Sequence, residues 1–385
     1  MSSQMTVHVE DTDAHLIAAR IVMPLGAAAL ATTASNYELD HSATPWLPPM
    51  LVAGMRKNWS IAFDSPVDST ALRGASAAQK VFLDWHPRRF HEISVSAKPF
   101  DAMSDGRGVG CFFSGGVDSF YSAITQSDRI THLIFVHGFD ISARNEDLAG
   151  RALASARVAA AELGKPLIEV KTTLRSAFGD RLLLDWGYDF HGAALAHVAL
   201  ALSRHLRTVL IPSSNSRWDQ VIWGSHPDLD PLWSSGSVTV EHDALDEDRL
   251  GKLRRLGTDE TAMKHLRVCW ENRDGRFNCG VCVKCIRTKI GLAAASAESV
   301  ALPGPIDLDA VSSLLLTNRD CHHLRNGLAA MADAGVTDEG VVAAVDVAIR
   351  RRHWRQARSY LRRVRSVTID FMQIRRRLQV GDTVR

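Results

Sequence analysis

The chain has 385 residues, 46% apolar and 23% charged, with a formal net charge of +2. That is ordinary for a soluble globular protein with a substantial core, folded as two or three units. No apolar run reaches membrane-spanning length, and a net charge this small names no partner class by itself.

Residues 1–105 carry no catalytic motif and read as a small α+β unit. The apolar stretch Leu16 to Ala31 resembles an export signal in length only. Glu10, Asp11 and Asp13 replace the basic flank, and Arg20 and Pro24 interrupt the run, so export is rejected. Short strands are expected at 7–9, 59–63 and 92–96, a brief helix at 76–82, a loop over the prolines of 36–49 and a linker at 98–108.

At residue 109 the pattern changes to alternating strands and helices, the signature of a parallel sheet covered by helices. Val109–Phe113 is an apolar strand, followed by Ser114-Gly115-Gly116-Val117-Asp118-Ser119 and a helical stretch from Phe120. Gly106, Gly108 and Gly110 read as a flexible approach to that strand. A Gly-Gly turn lets the backbone approach an anion, and the first N–H groups of a helix lack intrahelical acceptors. Ser114 and Ser119 add hydroxyls, whereas Asp118 would repel a bare phosphate and suits a bridging cation such as Mg²⁺. The bland alternative is a Gly-Gly turn capped by Asp118. Neither GxxxxGK[ST] nor GxGxxG is present.

Further strands are expected at 131–136, 167–170, 208–211 and 237–240, with helices at 145–163 and 191–205. Ligands of such sheets lie beyond the carboxyl ends of the strands. Ser213, Ser214 and Asn215 begin a long loop at one such end, and His226, Asp228 and Asp230 lie within it among tryptophans. These six are the candidate substrate-binding residues, the alternative being that Asp228 and Asp230 cap turns at Pro227 and Pro231. Lys171 could reach a phosphate or sit in solvent, and Asp189 reads as a helix cap.

Four of the six cysteines fall within seventeen residues as C-x9-C-x2-C-x2-C: Cys269, Cys279, Cys282 and Cys285. Four thiolates at this spacing can close around Zn²⁺ as a structural site, or hold an iron–sulfur cluster. That usage suits a reducing compartment, so a cytoplasmic location is expected. Cys111 reads as a buried strand thiol, and Cys321 beside His322 and His323 lacks a second group of ligands nearby.

Helices are expected at 306–316, 321–334 and 339–350, then an amphipathic tail with eleven arginines between Arg350 and Arg377. RNA, an acidic carrier protein or an anionic membrane surface would suit that tail, as would docking through its apolar seam with the arginines in solvent.

The six-residue loop resembles the pyrophosphate-binding loop of the PP-loop ATP pyrophosphatase superfamily. Together with the cysteine knuckle, it resembles the 7-cyano-7-deazaguanine synthase family over residues 107–292. The resemblance implies a doubly wound α/β parallel sheet of PP-loop (HUP-like) type. It places an ATP-binding domain at 106–300, with a zinc knuckle at 269–285, between an N-terminal α+β unit (1–105) and a helical, Arg-rich extension (301–385). It implies ATP and Mg²⁺ on Ser114, Gly115, Gly116, Val117, Asp118 and Ser119, with Asp118 and Ser119 in the catalytic role. Val136 and His137 would neighbour the adenosine, and zinc would sit on the four cysteines. The implied reaction is adenylylation of a small-molecule carboxylate, followed by capture with ammonia or an amine. tRNA thiolation and a non-catalytic nucleotide- or RNA-binding module are the alternatives, and a homodimer is a further expectation. The terminal regions and the 213–235 loop have no counterpart in that synthase family, so the substrate does not carry over.

Overall fold

A computed structural model describes residues 3–104, 106–142 and 144–352. The chain begins with β1 (Gln4–Glu10), β2 (Leu16–Val22) and β3 (Ala28–Ser35), an antiparallel meander. The apolar stretch 16–31 is therefore most of two strands. Pro24 and a left-handed Gly26 turn the chain between them, closed by a bond from Met23 N–H to the Ala27 carbonyl.

Helix α1 (Leu47–Lys57) starts inside the stretch expected to be loop. Pro48 and Pro49 stand in its first turn, where a missing N–H costs nothing, and the left-handed Asn58 ends it. The strands β4 (Ser60–Phe63) and β5 (Val67–Asp68) lead into α2 (Ser69–Trp85), which extends well beyond the expected 76–82. Buried Asp68 caps α2 by accepting from Ala71 N–H, and also accepts from the N–H groups of Ala102 and Gly236. β6 (Val95–Ser96) pairs with β4, and β7 (Pro99–Phe100) with β5.

The alternating section follows: β8 (Gly108–Phe112), α3 (Val117–Thr125), β9 (His132–His137), α4 (Glu146–Glu162), β10 (Leu167–Thr172), α5 (His191–Ala201), β11 (Leu206–Pro212) and β12 (Thr239–Asp243). These five strands are parallel, in spatial order β10-β9-β8-β11-β12. Counting along the chain from β8 gives 3-2-1-4-5, an order compatible with a doubly wound α/β fold, with the switch point between β8 and β11. Helix α4 is capped by Asn145 and buries an alanine stripe at 149, 152, 156 and 160. Helix α5 is buried on all sides.

β10 also pairs antiparallel with β3, Val170 opposite Ser35. One ten-stranded sheet thus continues through β3, β2, β1, β4 and β6. Buried Asp189 contributes further: Arg56 Nε lies 2.9 Å and Arg89 Nη2 2.8 Å from its carboxylate. These partners give Asp189 an ion-pairing role rather than a simple cap.

After β12 come α6 (Arg249–Leu256) and α7 (Glu260–His265), both absent from the expected elements. The chain divides into two compact units. One holds Met1–Asn278 with Ser299–Ala301, and the other holds Cys279–Glu298 and the chain from Leu302. In the second, α8 (Val283–Ala294) packs on α10 (Asn318–Asp333), with α9 (Leu308–Ser313) before α10 and a helix over 339–352 after it. Gly327 permits the close approach, since a Cβ there would stand 2.8 Å from Ile290 Cγ2. Past Arg352 the Arg-rich tail lies outside the described residues. Among the described residues, no helix is long and apolar enough to cross a membrane.

Candidate anion-binding loop and cysteine cluster

The loop grows out of β8, buried at every position. Gly108 and Gly110 lie inside this strand and are packing residues, not a flexible approach to it. A Cβ on Gly110 would meet Leu206 at 2.6 Å and Ile134 at 2.8 Å, side chains of the flanking strands. Beyond Phe113 the backbone turns through Gly115, with φ of +76°, and Gly116 leads into α3. Phe120 N–H is the first to reach back to the Gly116 carbonyl, so the N–H groups of 117–119 face the end of the helix without intrahelical acceptors. Ser119 is buried and donates its hydroxyl to the Gly116 carbonyl, while Ser114 stays exposed.

Three cations from distant parts of the sequence gather here. Asp118 accepts from Arg249 Nη1 at 3.0 Å and stands 3.5 Å from Lys252 Nζ, both on α6. Lys252 is only 1% exposed and also donates to the Ser213 carbonyl at 2.5 Å. Burial pulls its pKa below the ordinary lysine value, while the charge of Asp118 pushes it back up. The third cation is Arg267. Its backbone N–H donates to the Gly115 carbonyl at 2.7 Å, fixing the segment after α7 against the turn. Its side chain is 8% exposed, and Nε is buried without a hydrogen-bond partner. Burial lowers its pKa, and the nearby Asp140 opposes that shift. Arg267 lines a cavity of about 10 Å³ together with Ser114, Gly115, Ser155 and His265, the rest of its wall being apolar, from phenylalanines 113, 120 and 277 and the α4 alanines 152, 156 and 159.

The expected adenosine neighbours Val136 and His137 end β9, next to β8 in the sheet. The His137 ring bonds to the Ser142 carbonyl through Nε2, at 3.1 Å. Ser213 follows β11 on the other side of β8, and its hydroxyl closes a local turn with Asn215. Ser214 is exposed. The carboxyl edge of the sheet thus brings together residues 114–119, Val136, His137 and Ser213.

The remaining three candidates have separate surroundings. Asp230 is wholly buried, bonded to His242 Nδ1 at 2.7 Å and Ser225 Oγ at 2.7 Å, and so ties its loop to β12. His226 packs edge-on against Trp85, accepts from the Asp228 N–H through Nδ1, and has its pKa lowered by burial. The Asp228 side chain is largely exposed. Lys171 pairs with Glu146 at 2.7 Å.

The sequence reading missed Arg249, Lys252, Arg267 and His242. One local signal existed, because Arg249 and Lys252 are one helical turn apart behind a capping Asp248 and so share a face. Nothing in that spacing says which acid they meet.

The sulfurs of Cys269, Cys279, Cys282 and Cys285 are all buried and lie within 4.8 Å of one another. Four thiolates around Zn²⁺, at about 2.3 Å each, stand about 3.8 Å apart, so the donor set fits zinc. Local bonds support it: Asn272 N–H donates to Cys269 Sγ at 3.1 Å, and Cys282 N–H to Cys279 Sγ at 3.3 Å. Asn278 accepts from the N–H groups of Val268 and Cys269, and Gly280 takes the left-handed turn before Cys282. Among the described residues this is the only group of His, Cys, Asp or Glu arranged to hold a metal. Cys321 is buried and is not one of this group.

Searches of protein-family models, curated proteins and solved structures returned no match to the chain.

Proposed function

We propose that the chain is an ATP-dependent, AMP-forming enzyme. It would adenylylate a small-molecule carboxylate, and ammonia or an amine would then displace AMP to leave an amide. The observation that carries this reading is the 114–119 loop at the switch point of the sheet, with Arg249, Lys252 and Arg267 around it. Backbone N–H groups at the start of α3 and side-chain cations in a partly dry site are suited to a polyphosphate.

In this reading the loop holds the β- and γ-phosphates, and the sugar and base lie towards Val136 and His137. The carboxylate oxygen attacks the α-phosphorus, and the bond to the β-phosphate breaks with release of pyrophosphate. Catalysis rests on positioning and charge stabilisation. Zinc on the four cysteines is structural and takes no part in the step. Amidation is favoured over sulfur transfer because all six cysteines are buried and four of them are clustered.

Asp118 is engaged by two side-chain cations, and a divalent ion on its carboxylate would share it with them. The test is product analysis with a pool of small carboxylic acids and ammonium. AMP and pyrophosphate from wild type, and neither from Asp118→Ala, is the expected result. ADP and orthophosphate would overturn the proposal.

A further inference from the structure

A polyphosphate on this loop needs positive charge, and the chain itself supplies it. Arg249, Lys252 and Arg267 bring three cationic side chains to the loop, where Asp118 meets the first two and Asp140 lies near the third. Arg249 and Lys252 reach the Asp118 carboxylate through Nη1 and Nζ, with Arg249 Nε buried without a partner, and the Arg267 Nε also has no partner although the side chain is nine-tenths buried. An unpaired buried guanidinium N–H costs free energy that a ligand oxygen can recover. Arg267 is also fixed in place, because its own N–H is bonded to the Gly115 carbonyl in the turn that opens α3.

The size of the adjoining cavity limits the occupant. At about 10 Å³ it admits one water-sized group, which suits a single phosphate oxygen and excludes a base or sugar. Ser114 and Gly115, where the loop begins, share this cavity with the Arg267 side chain.

We propose that Arg267 receives the pyrophosphate end of the nucleotide, and that side-chain cations suffice to hold it there without a divalent ion. This rests on the reading of the loop as a polyphosphate site. It assigns to this chain's own residues the charge neutralisation that the sequence alone would give to Mg²⁺.

The test is calorimetric titration of inorganic pyrophosphate into the full chain, in EDTA and in Mg²⁺, with wild type, Arg267→Gln and Arg267→Lys. Thermal unfolding of each variant establishes that it is folded. Binding in EDTA is expected, weakened about 10- to 100-fold by Arg267→Gln and partly restored by Arg267→Lys. Binding that appears only with Mg²⁺, or a folded Arg267→Gln that binds in EDTA as tightly as wild type, overturns the inference. If ATP with Mg²⁺ binds but pyrophosphate binds in neither condition, the inference falls while the nucleotide reading stands. If neither ligand binds under any condition, both fall.

Discussion

The cysteine cluster draws its four sulfurs from seventeen consecutive residues, whereas Asp118 meets Arg249 and Lys252 from 131 and 134 residues away. The first arrangement needs only a short run of chain and its two left-handed glycines, Gly275 and Gly280. The second requires that β8, β11 and the helices after β12 be in place before its charges can meet. A defect in the cluster should therefore act through metal content, and a defect at the loop through the packing of the sheet and its helices.

The largest effect is expected from removing a thiolate. Cys282→Ser should lose the metal and about 3 kcal/mol or more of stability, since structural zinc contributes its binding energy to folding. Metal analysis with denaturant unfolding checks this, and full zinc retention by the variant would contradict a four-thiolate site. Asp118→Asn tests the other side. It leaves Lys252, almost wholly buried, without its carboxylate, and should cost about 2–3 kcal/mol while zinc content stays at the wild-type level. An unchanged unfolding midpoint would show that the Asp118 cluster contributes nothing to the fold.

Long-range assembly has a second probe in His197 on α5. Its ring is fully buried, bonded to the Pro45 carbonyl and to Thr33, and burial lowers its pKa to about 4. The unfolded chain binds this proton near pH 6.5, so between those values unfolding takes up a proton. The contribution is fully present above pH 6.5 and is lost as pH falls through 6.5 towards 4, by about 2 kcal/mol at pH 5. Urea unfolding of wild type and His197→Asn at pH 8 and pH 5 should show a smaller acid loss in the variant. The smallest effect is expected at Gly115, where a left-handed backbone makes Gly115→Ala cost about 1–2 kcal/mol. A stability loss below that range would mean that the turn relaxes without its glycine.

The same contrast explains what the sequence disclosed. Strands buried in a parallel sheet read as apolar runs, so β9, β10, β11 and the glycine loop were legible, and Asn145 announced the start of α4. The four cysteines were legible because metal spacing is local. The run 16–31 hid two strands, since an apolar stretch shows no turn until Pro24 and Gly26 are read as one. Prolines 48 and 49 suggested a loop, although in a first turn they begin α1. Pairing of β10 with β3, and of Asp118 with α6, leaves no local trace because each partner is chosen by the whole sheet. The loop acids 228 and 230 look alike in sequence, yet burial separates them: Asp230 is bonded inside the structure and Asp228 faces outward.

The most direct measurement is hydrogen exchange on the full chain with and without ATP. A composite polyphosphate site predicts increased protection in the peptides covering 113–120, 249–252 and 265–267 together. Protection confined to other segments, or none at saturating ATP, would contradict it.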